Sequence, residues 1–482
     1  MLKAKLNSVK LNRDFIVLLL GKILQVIIAL ASIRILTSIL STEEIANYYL
    51  LLTLLALLSF SFFNPISIYF GRYIVSWEKT NNLLNAINVL LIVKVFSILI
   101  SLLVVFILYT QLNYNVKYNL TEYMLFVFFS LLATVNGNLL SVLNTLEERI
   151  KFVKYLVVTL IVGLVISMSL VSLVDKTAVN WMYGLTISQI LFSIFMYKYI
   201  SKSREFLLDT VKAKITINKI KKVFYFVAPV TLVLFLEWGQ SVSYRFILEF
   251  NYPLEVLAYI AVGLSVSGAI FSAVEGLVTQ YFNPIYIKNI TNASLEVRTR
   301  SWNMLAKYTI SIYILLTIFV ISLSPFLVKI LVSEKFYDVY HYIMIGAIIE
   351  FFRTVTNIVF NVSVSELKAK KTIFPYISGL IISTGVIYYF NFSASLWLIP
   401  LVLAVSNCVV FVLMFYNMRK LLPISIDMKN IIRTIVLSSP LTICLLIDTR
   451  ESILSSLFVI LISGLYFLYS IYLLNIKDLR YA

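Results

Sequence analysis

Eight ionisable side chains fall inside apolar runs long enough to cross a bilayer, and they are where this sequence could do chemistry. The basic ones are Lys22, Arg34, Lys94, Arg245 and Arg353; the acidic ones are Glu237, Glu275 and Glu350. A charge at bilayer depth costs roughly 2.5–3.5 kcal/mol on insertion scales, so each must meet a partner or a wet surface. The distribution is uneven. The first half carries cations and no deep carboxylate, whereas the second half carries both signs. Buried cations suit an anionic ligand, and mixed signs suit ion pairing or cation coupling.

Lys94 is the sharpest case. It lies in "NVLLIVKVFSILISLLVV", Asn88 to Val105, with no acid three or four residues away. Ten residues into its run it sits about 15 Å from the end, near the midplane and beyond easy snorkelling. Two readings stay open: it faces an anionic ligand, or it pairs with a carboxylate of another helix such as Glu237 or Glu275. Lys22 lies two turns inside the first run, where a long stem reaches the surface. Arg34 and Arg245 sit near the ends of their helices beside glutamates of the following loops. Glu350 and Arg353 are three apart, on one helical face. The candidates for binding substrate are therefore Lys94, Lys22, Arg353 and Arg34; those for ion pairing or coupling are Glu237, Glu275, Glu350 and Arg245. Pro229 falls in or just past a first turn, where proline is tolerated, which leaves Pro400 and Pro440 as the better hinge candidates.

These residues have to be carried by membrane helices. The chain of 482 residues is 61% hydrophobic and 13% charged, with a mean hydropathy of +0.95, far above soluble usage. Its apolar runs last about 17–25 residues, the length a helix needs to cross about 30 Å of hydrocarbon. Spans are predicted at 15–38, 46–70, 84–109, 121–145, 155–174, 181–200, 223–248, 256–283, 305–330, 341–365, 374–390, 396–416, 431–447 and 452–474. The fold class is an all-α polytopic membrane protein with about 14 transmembrane helices, and the basic first segment reads as a retained span.

The net charge of +17 would suggest nucleic acid in a soluble protein. Here it follows from the enrichment of Lys and Arg in cytosolic loops. With both termini cytosolic, the outer loops hold only Lys117, Lys176, Lys329, Lys335 and Arg450, against thirty cations on the inner side. The basic stretch "KYISKSREFLLDTVKAKITINKIKKVF" divides the chain into 1–200, a linker at 201–222, a second set of helices at 223–416 and two further helices at 417–482. A faint repeat agrees with that division. "RILTSILSTEEIANY" (Arg34 to Tyr48) and "RFILEFNYPLEVLAY" (Arg245 to Tyr259) share Arg, Glu and Tyr at matching spacing. Six spans per half gives both copies one orientation, as in parallel repeats.

Enzymatic chemistry is poorly served. His341 is the single histidine, Cys408 and Cys444 lie in apolar runs, and no catalytic or metal-binding spacing occurs. No loop outside the membrane exceeds about a dozen residues, which disfavours a polytopic polymerase or ligase working at the outer face. The many Tyr and Phe residues read chiefly as packing and belt residues, although rings lining a cavity would suit sugars.

With "RILTSILSTEEIANYYLLL", "FVAPVTLVLFLEWGQSVSYRFIL", "LAYIAVGLSVSG" and "SEKFYDVYHYIMIGAIIEFF", the chain resembles the polysaccharide flippases (Wzx type) of the multidrug/oligosaccharidyl-lipid/polysaccharide exporter superfamily. It departs from them at Tyr244-Arg245, where many members carry Asp-Arg, and at Ala46-Asn47, where a glycine is usual. The resemblance implies two six-helix lobes facing each other in a V with two appended helices, in a bacterial inner membrane. It implies an undecaprenyl-diphosphate-linked glycan as substrate, the repeat unit of an O antigen or capsule. That glycan would be moved between leaflets by alternating access through a cationic cavity, alongside a polysaccharide polymerase complex. No cofactor is implied; whether transport is coupled to an ion gradient, and to which ion, is left open. A drug or cation exporter of the same superfamily is the alternative, and it should carry a deep carboxylate in the first half.

Overall fold

The computed structural model describes residues 13–111, 119–204, 217–290, 293–366, 368–447 and 453–479. The central part of the basic linker, 205–216, lies outside them. Among the described residues there are helices and no strands, as expected where lipid cannot satisfy backbone groups and each segment must satisfy its own.

Among the described residues, fourteen helices are long and apolar enough to cross a membrane. We number them α1 (Val17–Ile39), α2 (Thr42–Lys79), α3 (Leu83–Thr110), α4 (Leu120–Thr145), α5 (Arg149–Leu173), α6 (Ala178–Ser203) and α7 (Val223–Asn251). There follow α8 (Leu254–Ile290), α9 (Leu295–Leu331), α10 (Glu334–Ser365), α11 (Ala369–Tyr389), α12 (Leu398–Arg419), α13 (Met428–Leu446) and α14 (Ile453–Leu474). Each coincides with one span predicted from hydropathy.

Polar residues set where the helices begin. Ser41 caps α2, its side chain accepting from the Glu44 N–H, Ser294 does the same for α9 through Val297, and Asp427 caps α13 through Asn430. Each satisfies an N–H that the helix leaves without an internal partner.

The chain forms two compact units. One contains Leu11–Ile28 and Ile39–Trp238, the other Ala29–Ser38 and Gly239–Ala482. In the first, Gly184 of α6 lets two helices approach closely, since a Cβ there would lie 2.2 Å from the Ser167 backbone nitrogen of α5. In the second, Gly346 of α10 plays the same part against Ser267 of α8, whose Oγ would be 2.2 Å away. Small residues at such crossings are how membrane helices gain packing without a hydrophobic driving force.

Several helices are irregular inside. In α2, residues Ser59–Phe63 form a π turn directly before Asn64-Pro65. Pro65 cannot donate to the ladder, and the Asn64 N–H bonds instead to the Ser59 carbonyl five residues back. A second π turn occupies Ile381–Gly385 in α11. α13 is α-helical over Met428–Ser438 and then a 3-10 helix over Ser439–Leu446, with Pro440 at its start. The 3-10 rise of about 2.0 Å per residue stretches this short span to about 32 Å, enough to cross.

The hinge assignments change accordingly. Pro400 is the third residue of its helix, a position whose N–H has no intrahelical partner to lose. It therefore breaks no ladder bond. Pro440 marks the change from α to 3-10 geometry. Pro229 is the interior proline: the helix begins at Ile217, ahead of the apolar run, so Pro229 lies well past its first turn. Pro325 is likewise inside α9.

Candidate functional site

The first element of the site is the Lys94 ammonium. α3 has the highest hydropathy of the fourteen spans, and Lys94, near its middle, is only 2% exposed. Its Nζ donates to Thr134 Oγ1 at 2.9 Å and lies 5.7 Å from the centroid of the Phe63 ring. Both contacts come from irregular backbone. Phe63 is the last residue of the π turn in α2, and Thr134 occupies the break between the helical segments Leu120–Ala133 and Val135–Thr145 of α4. The Thr134 hydroxyl sends its own proton to the Leu131 carbonyl at 2.6 Å, which leaves its oxygen as the acceptor for the lysine.

No carboxylate pairs with Lys94 among the described residues. The proposed partner Glu275 is engaged elsewhere, and the lysine meets a neutral hydroxyl and a phenyl face in place of an acid. The same unit has other buried polar groups on α3, α4 and α6. Asn136 Nδ2 donates to the Gln189 carbonyl at 3.1 Å, Tyr197 OH to Asn88 Oδ1 at 2.8 Å, and Ser97 and Ser101 are buried on the Lys94 helix.

The second element is a four-residue cluster of α8 and α10. Arg353 donates through Nη2 to Glu275 Oε2 at 2.8 Å and through Nε to Glu350 Oε2 at 2.7 Å. Asn357 Nδ2 donates to the other Glu275 oxygen at 2.8 Å. The side chains are half-buried, and two carboxylates around one guanidinium leave the cluster with a formal charge of −1. Arg353, a substrate-binding candidate by sequence, therefore has its charge more than compensated by two acids within hydrogen-bond reach.

The remaining candidates are dispersed. Lys22 Nζ donates to Gln25 Oε1 on its own helix at 3.3 Å. Arg34 Nη1 donates to the Lys329 carbonyl at 3.1 Å, and three residues on, Thr37 accepts twice from Ser333, from its N–H at Oγ1 at 3.1 Å and from its hydroxyl at the carbonyl at 2.7 Å. Those contacts fasten the end of α1 to the end of α9. The Arg245 guanidinium lies 5.8 Å from the Tyr244 ring centroid. Glu237 is half-buried on α7, beside Trp238, whose indole N–H donates to the Thr53 carbonyl at 3.0 Å. By unit, Lys22, Lys94 and Glu237 fall in one, and Arg34, Arg245, Glu275, Glu350 and Arg353 in the other.

Sequence reasoning missed four contributors. Thr134 and Phe63 are unremarkable in an apolar run, and Asn357 could be suspected only from its place one turn after Arg353. Glu44, only 4% exposed, accepts from the Ala178 N–H at 2.7 Å and so caps α6. It lies near the start of α2, away from mid-span, so it is a cap and not a deep carboxylate. Its repeat counterpart Glu255 is exposed.

An all-helical protein with fourteen candidate spans and ionisable clusters within them is a multi-pass membrane protein. No protein-family profile matches the sequence, and no curated protein sequence matches it. Solved structures do match its fold. The lipid II flippase MurJ, in an inward closed conformation, is 15% identical over 95% of this chain and 97% of that chain, with a TM-score of 0.65. A multidrug resistance MATE family transporter of the MOP superfamily, in an inward-facing conformation, is 12% identical over 82% and 94%, with a TM-score of 0.56. The eukaryotic MATE transporter AtDTX14 is 13% identical over 88% and 96%, with a TM-score of 0.55. The chain thus has the fold that these transporters share.

Proposed function

We propose that this protein is a flippase that moves a lipid-linked oligosaccharide, carried on a diphosphate, from the inner to the outer leaflet of a bacterial inner membrane. The observation that carries this reading is Lys94, an ammonium at mid-span with no carboxylate partner among the described residues. A buried charge in that state is retained at a cost, and a diphosphate is an anion whose own burial requires such a charge. The fold shared with the lipid II flippase MurJ supports a lipid-linked substrate. Undecaprenyl diphosphate bearing an O-antigen or capsule repeat unit is the form we propose. Alternating access exposes the site to each leaflet in turn, with the lipid tail remaining in the bilayer. The Glu275–Arg353–Glu350 cluster is the proposed seat of coupling to an ion gradient, and a polysaccharide polymerase is the proposed partner downstream.

Surface polysaccharide should be compared between Lys94→Ala and Lys94→Arg cells at equal protein level. Alanine should abolish it and arginine retain part. Normal output from the alanine variant overturns the assignment. A second reading, a drug or cation exporter, draws on the net negative cluster of α8 and α10, although that cluster lies in the second half of the chain and not in the first. That reading requires expression to raise drug resistance, and resistance should fall in Glu275→Gln.

A further inference from the structure

The Lys94 ammonium has three N–H donors, and among the described residues it makes a single hydrogen bond, to a neutral oxygen. The acceptor is held in place by its own bond to the Leu131 carbonyl, so Thr134 presents a lone pair to the lysine. On the other side stands the Phe63 ring, itself 1% exposed. Four residues before Thr134, the Ser130 hydroxyl is buried with no hydrogen-bond partner among the described residues. Thus the under-satisfied cation meets two helices where they depart from regular geometry, the π turn of α2 and the break in α4, and an orphan hydroxyl lies one turn before that break. π turns inside α-helices recur at functional sites.

An ammonium with one neutral acceptor is poorly compensated in a dry interior. It is nonetheless better off there than with none, so the hydroxyl sets how readily the lysine leaves. An anion offering two or more oxygens competes directly with Thr134 for the same nitrogen. We propose that Thr134, aided by Phe63, is the positioning residue of the anion site. It stows Lys94 in the wall of its unit when no anion is bound, and keeps two N–H donors uncommitted for the phosphate oxygens that draw the side chain out. The proposal rests on the reading that Lys94 binds the substrate's diphosphate, and it adds a resting state whose stability tunes apparent affinity. A ligand that must first release its binding group pays in affinity for the fraction of time that group is stowed.

The test uses the full-length protein in nanodiscs with farnesyl diphosphate as the probe, farnesol as the uncharged control and inorganic pyrophosphate to separate a lipid headgroup from free phosphate. Thr134→Val keeps the shape and removes the acceptor. It should bind farnesyl diphosphate about tenfold more tightly, the lower end of what a hydrogen bond to a charged group contributes. Thr134→Ser, which restores the hydroxyl, should bind like the wild type. Phe63→Leu, which removes the ring face, should tighten binding about twofold to fivefold, and it serves as the test if Thr134→Val does not fold. Farnesol binding should not change across the variants. A purely structural Thr134 predicts equal or weaker binding in the valine variant, and that result overturns the proposal. Phe63→Leu binding more weakly than wild type also overturns it. Lys94→Ala separates the two layers. If it binds as well as wild type, the anion-site reading fails; if it loses binding while Thr134→Val shows no tightening, only the stowing role fails. Pyrophosphate binding with the same Lys94 and Thr134 dependence supports the proposal with a phosphate source not confined to lipid.

Discussion

Replacing Arg353 by methionine is the perturbation that most sharply tests how charges are accommodated in the second unit. The guanidinium bonds to Glu275 at 2.8 Å and to Glu350 at 2.7 Å, so its removal leaves two carboxylates facing each other at membrane depth. Taking away one partner of a buried pair costs about 3–5 kcal/mol, and here two acids lose theirs at once. The side chains retain some exposure, 30% for Arg353 and 21% and 16% for the acids, which places the expected loss near the lower figure, about 3 kcal/mol. Glu275→Gln should cost less, about 1 kcal/mol, because Arg353 keeps Glu350 and the amide can still meet Asn357. The double variant Arg353→Met/Glu275→Gln should recover part of the loss, since one stranded acid is gone. A coupling energy of about 1–2 kcal/mol is expected. The assay is reversible unfolding of the purified protein in mixed micelles with increasing SDS, followed by Trp fluorescence. If Arg353→Met is no more destabilising than Glu275→Gln, or the coupling is below about 0.5 kcal/mol, the cluster is not the interdependent unit its geometry describes.

Two further substitutions check the packing and capping arguments. Gly184→Ala places a methyl about 2.2 Å from the Ser167 backbone and should lower the yield of folded protein in size-exclusion chromatography, with a stability loss of about 1–3 kcal/mol. Gly464→Ala, which meets nothing within 4 Å, should elute and unfold like the wild type. Glu44→Ala removes the buried acceptor of the Ala178 N–H and should cost about 1–2 kcal/mol in the same SDS titration. Glu255→Ala, at the exposed counterpart, should change stability by less than about 0.5 kcal/mol.

The helices were legible because lipid imposes one rule on every span: about twenty apolar residues bounded by polar ones. What happens inside a span was not, because Ser59–Phe63 and Ser439–Leu446 are as apolar as their neighbours and only the backbone shows the π turn and the 3-10 stretch. Helix ends caused the error over prolines. Apolar windows placed Pro229 in a first turn, but the helix extends back to Ile217 through a basic segment that hydropathy does not count. Of the charged residues, Glu350 could be tied to Arg353 through their spacing on one helix face. Glu275 could not, since it is 78 residues away in sequence. Thr134 was hidden for a second reason. It is neutral, so a search for a partner to Lys94 considers only carboxylates and passes over it.

The most direct measurement is transport itself, with purified protein in proteoliposomes carrying a fluorescent polyprenyl-diphosphate oligosaccharide and a membrane-impermeant quencher added outside. Wild-type vesicles should bring the outer-leaflet fraction to equilibrium, Lys94→Arg should do so more slowly, and Lys94→Ala should match protein-free vesicles. Equal rates for wild type and Lys94→Ala, with both well above protein-free vesicles, would contradict the account, because the glycan would then cross without the buried ammonium.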